Sequence, residues 1–355
     1  MAVSTEKPIS ALELSGGPFE RGRKYGTHFK HLIAHLIQEG FYKELRARTT
    51  KRQLLRRAKR YAPFIEDYSP EIAEELKGLA EGSGRSYEEI IMINAYEEID
   101  ELAGRCTAFA ATGNATRDGK TYLGQNWDGV DWEWGGGEFA LLLTIKRNDG
   151  VNILNYTSPG FLSCAGLNSN GIGICFNTVP RLALRVGVPT YIIVADVLRQ
   201  KTIGEALNSV LRAKRAGCFN FVITDETELY DVEGTPDDVD IAYADDCIAH
   251  ANHFVSQKFY SKQDMSFRIS RGSTFVRYNR MRRLLKQKFG ALDLETCEGF
   301  LKDHVNYPSS ICQHPEQEKG PKIRSLDSWI MVPAQREFWI AHGMPCEHEF
   351  QQFKF

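Results

Sequence analysis

The 355 residues contain no run of 18 or more apolar side chains, which excludes a membrane-spanning helix. An excess of positive charge is missing too. Lys and Arg number 44 against 46 Asp and Glu, a formal net charge of −2, so no broad basic field points to nucleic acid. The opening, MAVSTEKPISALELSGG, lacks the charged-then-apolar layout of a signal peptide. The closing FQQFKF lacks a peroxisomal tripeptide. None of the eight cysteines (Cys106, Cys164, Cys175, Cys218, Cys247, Cys297, Cys312, Cys346) forms a C-x-x-C pair. They read as reduced thiols of a cytoplasmic protein, mostly buried as small hydrophobes. Repeats, low-complexity segments and a Gly/Pro-rich linker are also absent.

What is present is an ordinary globular composition, 42% hydrophobic and 25% charged. The first hundred residues read as helical: Phe29, Leu32, Ile33, Leu36 and Ile37 recur at helical spacing. Ser69 before Pro70 is an N-cap signature. Ser86 with Glu89 is a capping box, and Gly104 is a helix stop. Paired strands follow: 107–112 with 121–126 across RDGK, 139–146 with 151–156 across NDG, and 162–168 with 171–177 across SNG. Helices are predicted near 191–200 and 203–215. Strands then cover 220–224, 228–232, 239–243 and 247–251, helices 275–289 and 294–304, and a last hairpin 328–332 with 337–341. Sheet, helices, sheet, helices and a closing hairpin imply two stacked sheets with helices outside.

Cys106 begins a strand straight after a helix stop and is followed by polar Thr107. Free cysteines are commonly core residues, but a core thiol needs no such placement. A thiol there becomes a nucleophile if a base lies close. Cutting the bond before it would supply one, its own α-amine with a pKa of about 7.7–8.0. Base and nucleophile would then belong to one residue.

These features resemble the isopenicillin N acyltransferase (acyl-coenzyme A:6-aminopenicillanic acid acyltransferase) family of self-processing N-terminal-nucleophile cysteine enzymes. More distantly they resemble choloylglycine hydrolases. GGPFERGRKYG, EEIIMINAYEE, CTAFAATGNATRDGKTYLGQNWD, AGLNSNGIGICFNT, GVPTYIIVADVL, AHANHF, NYPSSIC and SLDSWIMVP follow in the family's order. The resemblance implies an α+β, four-layer αββα fold with a helical N-terminal segment. It implies self-cleavage between Arg105 and Cys106, giving chains 1–105 and 106–355 that stay together as a heterodimer within one structural domain. Cys106 becomes the nucleophile, Asp128 the carboxylate beside the new N-terminus, and Asn252 an oxyanion-hole amide. Asn177 and Arg324 become substrate-binding residues, with Lys322 the competitor for Arg324 by spacing. Arg105 departs from the glycine often found before the family's nucleophile. A bulky cation there either slows the acyl shift or is tolerated.

The implied activity is a cysteine amidohydrolase or acyltransferase working through a Cys106 thioester. Its partners are a small-molecule acyl donor, a coenzyme A thioester among the candidates, and a water or amine acceptor. Insect relatives that cleave β-alanyl amines make small N-acyl amines a second substrate class. The alternative is an uncleaved, non-catalytic protein that keeps the fold. No cofactor and no metal is expected. Cys247, His250 and His253 sit three apart, but on a strand running into a loop they do not converge, and a fourth ligand is not evident. Eight basic residues between Arg46 and Arg60 read as a solvated helix face, with a phosphate-attracting patch as the other reading. The basic stretch RGSTFVRYNRMRRLLKQK has the same two readings.

Overall fold

A computed structural model describes residues 9–43, 49–99, 105–130, 139–243, 245–263, 272–315 and 323–355. The N-terminal part is helical: α1 (Pro18–His28), α2 (Lys30–His35) running into a π-helical turn (Leu36–Tyr42), α3 (Lys51–Lys59), α4 (Ala62–Tyr68), α5 (Pro70–Ser83), α6 (Tyr87–Asn94) and α7 (Tyr96–Ile99). The caps are those the sequence predicts. Ser69 Oγ accepts from Ile72 N, and Ser86 and Glu89 exchange reciprocal bonds. The stop at Gly104 lies outside the described residues. Helices α1 and α5 touch backbone to backbone: a Cβ on Gly22 would stand 1.9 Å from Glu75 O, and one on Gly78 2.0 Å from Phe19 O. Only glycine permits that approach, which explains Gly22 and, against Leu79 O, Gly26 of GGPFERGRKYG.

One sheet has the order β1 (Ser10–Ser15), β4 (Leu141–Lys146), β5 (Asn152–Thr157), β6 (Ala165–Asn168), β7 (Gly173–Asn177), β8 (Phe219–Thr224), β9 (Leu229–Gly234), β10 (Val239–Tyr243). The other has the order β11 (Cys247–His250), β2 (Arg105–Ala111), β3 (Tyr122–Val130), β12 (Ile323–Val332), β13 (Glu337–His342), β14 (Gln351–Phe353). Their inner faces meet. Trp127 packs on Tyr156 of the first sheet at 5.7 Å between ring centres, and Trp329 Nε1 donates to Cys175 Sγ at 3.2 Å. Helices α8 (Thr190–Val197) and α9 (Ile203–Leu211) join α4 and α5 outside the first sheet: Tyr68 OH donates to Asp196 Oδ2, and Arg199 Nη2 donates to Glu75 Oε2. A short α10 (Gln257–Tyr260) precedes α11 (Ser273–Gln287) and α12 (Leu294–Leu301), which cover the second sheet through Met281, Leu285, Phe300 and Phe109. The layers are therefore α, β, β, α, as expected.

Three strand assignments need correction. The first hundred residues are not wholly helical, because Ser10–Ser15 forms β1, parallel to β4. Its alternating ALEL is too short to outweigh the helical periodicity that follows. β12 starts at Ile323 rather than 328, since a bulge between Ser325 and Asp327 lets it pair further along β3. β14 was not read from sequence at all.

Candidate active site

Strand pairing in the second sheet sets the site. Arg105 faces Asp128, Cys106 faces Trp127, and Ser325 faces Asp128 from the other side. Neighbours across strands share a face. Cys106 and Trp127 therefore look between the sheets, while Arg105, Asp128, Thr107 and Ser325 look toward α11 and α12. Cys106 is 5% exposed. Burial pushes its pKa up and the nearby Asp128 carboxylate adds to this. The Asp128 backbone N–H and the Arg277 guanidinium pull the other way. In the continuous chain this is a protonated, unactivated thiol.

Asn252 holds the cysteine's nitrogen. Its Oδ1 accepts from Cys106 N at 2.8 Å and from Arg277 Nη2 at 2.9 Å. Its Nδ2 donates to Thr178 O at 2.9 Å. Two N–H donors converging on one side fix which end of the amide is oxygen.

Asp128 is fully buried. Ser325 Oγ donates to its Oδ1 at 2.7 Å, and its Oδ2 is a buried acceptor with no partner among the described residues. Desolvation raises the carboxyl to about 7, against lowering by Arg277, by the Ser325 bond and by Arg105. Arg105, opposite Asp128 across the strand pair, is the least of these influences.

Asn177 ends β7 in the gap between the sheets. It accepts from Gln125 Nε2 at 2.8 Å and donates to Asn220 Oδ1 at 3.1 Å. Its successor Thr178 carries the carbonyl that holds Asn252. Arg324 is half-buried and opposite Gly129, so the pleat places it on the same face as Cys106, beyond the row of Trp127 and Asp327. Lys322 lies outside the described residues. Cys247, His250 and His253 do not form a ligand set: His250 Nε2 pairs with Glu233 Oε1 at 2.7 Å, and His253 Nδ1 with Thr274 Oγ1 at 2.8 Å.

Two residues escape the sequence reading. Arg277 is completely buried and donates to Cys106 O, to Thr107 Oγ1 at 2.7 Å and to Asn252 Oδ1. It lies in the second basic stretch, which is therefore not simply a solvated face. Burial lowers its pKa to about 10, opposed by Asp128 and Cys106. Its signal is phase: Arg277, Met281 and Leu285 are four apart and fall on the buried stripe of α11. Glu97 is the other. Burial raises it to about 7, Glu98 adding and Arg181 opposing. It accepts from Tyr191 OH at 3.0 Å and Thr178 Oγ1 at 3.3 Å.

The sequence model of the family described as Acyl-coenzyme A:6-aminopenicillanic acid acyl-transferase matches residues 115–346, well over half of the chain. The chain belongs to that family. It is accordingly of the acyltransferase type for which that family is described, on the four-layer α, β, β, α fold set out above. The acyl-coenzyme A:6-aminopenicillanic-acid-acyltransferase 40 kDa form of Emericella nidulans is 26% identical over 320 residues, covering 86% of this chain and 85% of that protein. An uncharacterized protein of Archaeoglobus fulgidus is 22% identical over 389 aligned positions, 94% of this chain and 63% of the other. Among solved structures, a variant of conjugated bile acid hydrolase from Clostridium perfringens matches with a TM-score of 0.47 and 12% identity over 70% of this chain and 97% of that one. Penicillin V acylase from Agrobacterium tumefaciens gives 0.46 and 8% over 67% and 83%. No helix among the described residues is long and apolar enough to cross a membrane.

Proposed function

We propose that this family member is a self-processing cysteine acyltransferase or amide hydrolase with Cys106 as nucleophile. The observation that carries the reading is the setting of the Cys106 nitrogen. It is held by Asn252 Oδ1, and the buried Asp128 Oδ2 is an acceptor still to be satisfied. In processing, Sγ attacks the Arg105 carbonyl carbon, the Arg105–Cys106 C–N bond breaks, and a thioester forms as the nitrogen takes up a proton. Water then releases the Arg105 carboxylate and regenerates the thiol. The new α-ammonium stays on Asn252 and gives Asp128 a charged donor, which offsets the cost of burying that carboxylate.

In turnover the α-ammonium first gives up one proton to solvent; the neutral α-amine then takes the thiol proton, and Sγ attacks the acyl donor. One Asn252 Nδ2 hydrogen is held by Thr178 O, and the second is proposed to meet the tetrahedral oxyanion. The leaving amine or thiol departs with a proton from the α-ammonium, and water or an acceptor amine resolves the thioester. Asn177 and Arg324, both facing the gap between the sheets, are proposed to contact the substrate. The donor proposed is anionic, such as a coenzyme A thioester. Arg57 and Arg60, from the basic run, meet Arg181 and Arg185 around a cleft of about 700 Å³ that Glu98 also lines. Arg181 donates to Glu97 O, and Glu97 contacts Thr178, so the cleft adjoins the site.

Intact mass on freshly purified protein tests this reading. A piece beginning at Cys106 is expected. A single full-length species with undiminished acyl turnover overturns self-processing, and a full-length species with no turnover favours the non-catalytic alternative.

A further inference from the structure

We propose that His304, Cys312, His314 and Cys346 form a structural zinc site, apart from the nucleophile. This cluster shares no residue with Cys247, His250 and His253. These four residues come from the loop after α12 and from the segment between β13 and β14, and their donor atoms all lie within 4.8 Å of one another. His304 Nε2 is 3.0 Å from His314 Nε2, Cys312 Sγ is 3.6 Å from His314 Nε2, Cys346 Sγ is 3.4 Å from His314 Nε2, and the two sulfurs are 3.5 Å apart. Zinc bond lengths of about 2.3 Å to sulfur and 2.0–2.1 Å to nitrogen make the edges of a tetrahedron about 3.3–3.8 Å. The four measured edges fall near that range.

Hydrogen bonding does not explain the convergence. An imidazole nitrogen carries one hydrogen or one lone pair, yet His314 Nε2 has three donor atoms of the cluster around it. A central cation satisfies all four atoms together. Two thiolates and two neutral imidazoles balance a dication, and binding releases two thiol protons. Sulfur with imidazole nitrogen selects zinc over magnesium or calcium, and four protein ligands with none left for substrate mark a structural site.

The site would clamp the floor of the active site. Gln313, between two ligands, donates from its backbone N to Ser325 Oγ at 3.0 Å, and its carbonyl accepts from Ser325 N at 3.0 Å. Ser325 Oγ then donates to Asp128. Nearby, Asn126 Nδ2 donates to Leu301 O and Ile311 O, tying the same loop to β3. The ion would hold this loop, through Cys346, against the end of the second sheet.

The full chain, purified without a histidine tag from zinc-supplemented culture and dialysed, should carry about one zinc per chain by elemental analysis. After chelation, added cobalt(II) should give the intense visible bands of a tetrahedral ion and near-ultraviolet thiolate charge-transfer bands. The Cys312→Ser/Cys346→Ser double variant should lose metal at least tenfold, while Cys247→Ser keeps it. Should the double variant fail to fold, His304→Ala removes an exposed ligand, and its cobalt spectrum should weaken or vanish. Metal far below one per chain with no cobalt uptake overturns the proposal. So does a Cys312–Cys346 disulfide in the native protein, or unchanged metal content in a folded variant.

Discussion

Two regions of this chain bring a cysteine into a polar cluster, and they do so in opposite ways. At Cys106 a single buried sulfur faces the gap between the sheets, while the polar groups gather around its backbone. At Cys312 and Cys346 two sulfurs and two imidazoles aim at one point, near the surface. In the first region the backbone nitrogen is the anchored atom, which suits the proposal that this residue's amine becomes a base. In the second the side chains themselves converge, which suits a cation. The difference teaches that a cysteine's role is read from which of its atoms the neighbours address, more than from how deeply it is buried. Both regions meet at Ser325, whose hydroxyl serves Asp128 on one side and Gln313 on the other.

The sharpest way to break the comparison is to remove each sulfur in turn. Cys106→Ala should abolish chain cleavage and acyl turnover altogether, measured by intact mass and by thioester trapping. Cys164→Ala, which removes a buried thiol whose backbone nitrogen donates to the Tyr156 carbonyl rather than to a side chain, should cleave normally. Cleavage surviving in Cys106→Ala would remove the central role assigned to that sulfur.

Asn252→Ala comes next. Losing one oxyanion donor should lower turnover by about 10²–10³. The same substitution leaves the Cys106 nitrogen, Arg277 and Thr178 O short of a partner, so about 1–3 kcal/mol of stability should also go. A melting curve and a turnover assay on one preparation separate the two. If the folded fraction turns over normally, Asn252 is only the anchor of the cysteine nitrogen.

Asp128 gives a pH test. Its carboxyl is raised to about 7 in the folded, continuous chain against an ordinary 3.8. The folded state then binds more protons than the unfolded one between those values, so stability falls as pH rises through that window. Measured on the uncleavable Cys106→Ala background, Asp128→Asn should flatten this slope, gaining on its parent as pH rises from below 3.8 to above 7. A slope unchanged by the substitution would show that another group carries it. In the processed enzyme the adjacent ammonium should draw the Asp128 carboxyl down and shift the window to lower pH.

Much of this was legible in the sequence, for identifiable reasons. The hairpins were readable because NDG, SNG and RDGK mark turns between apolar runs. Residues 152–157 pair with 141–146 across NDG, and 166–167 pair with 173–174 across SNG, as those turns suggest. β1 was hidden because its parallel partner β4 lies some 130 positions away, and six alternating residues do not announce so distant a neighbour. Cys106 stood out by position, but Asn252 and Asp128 emerged only through family resemblance. Arg277 was masked by company: Arg280, Arg282 and Arg283 share its helix, and only its buried face distinguishes it. The four-residue cluster has spacings of 8, 2 and 32 and needs the fold to bring it together.

The smallest expected effect is the one that couples the two regions. Stripping the proposed zinc with a chelator leaves Cys106, Asn252 and Arg277 in place, because their mutual bonds do not pass through the loop of residues 302–315. What loosens is Gln313, and with it the pair of backbone bonds that fixes Ser325. The consequence for Asp128 is one weakened hydrogen bond, whose net worth is about 0.5–1.5 kcal/mol, or up to about tenfold in rate. Turnover should therefore fall by less than about tenfold and return when zinc is restored. Ser325→Ala should produce a loss of the same order that zinc does not repair. If chelation abolishes turnover while the melting curve is unchanged, the ion is acting on the reaction itself and the division between nucleophile and clamp fails. If chelation removes the metal and turnover stays whole, the Gln313–Ser325 link carries no information between the two regions. The double perturbation decides the remaining case: with the coupling routed through Ser325, zinc removal should cost Ser325→Ala nothing further.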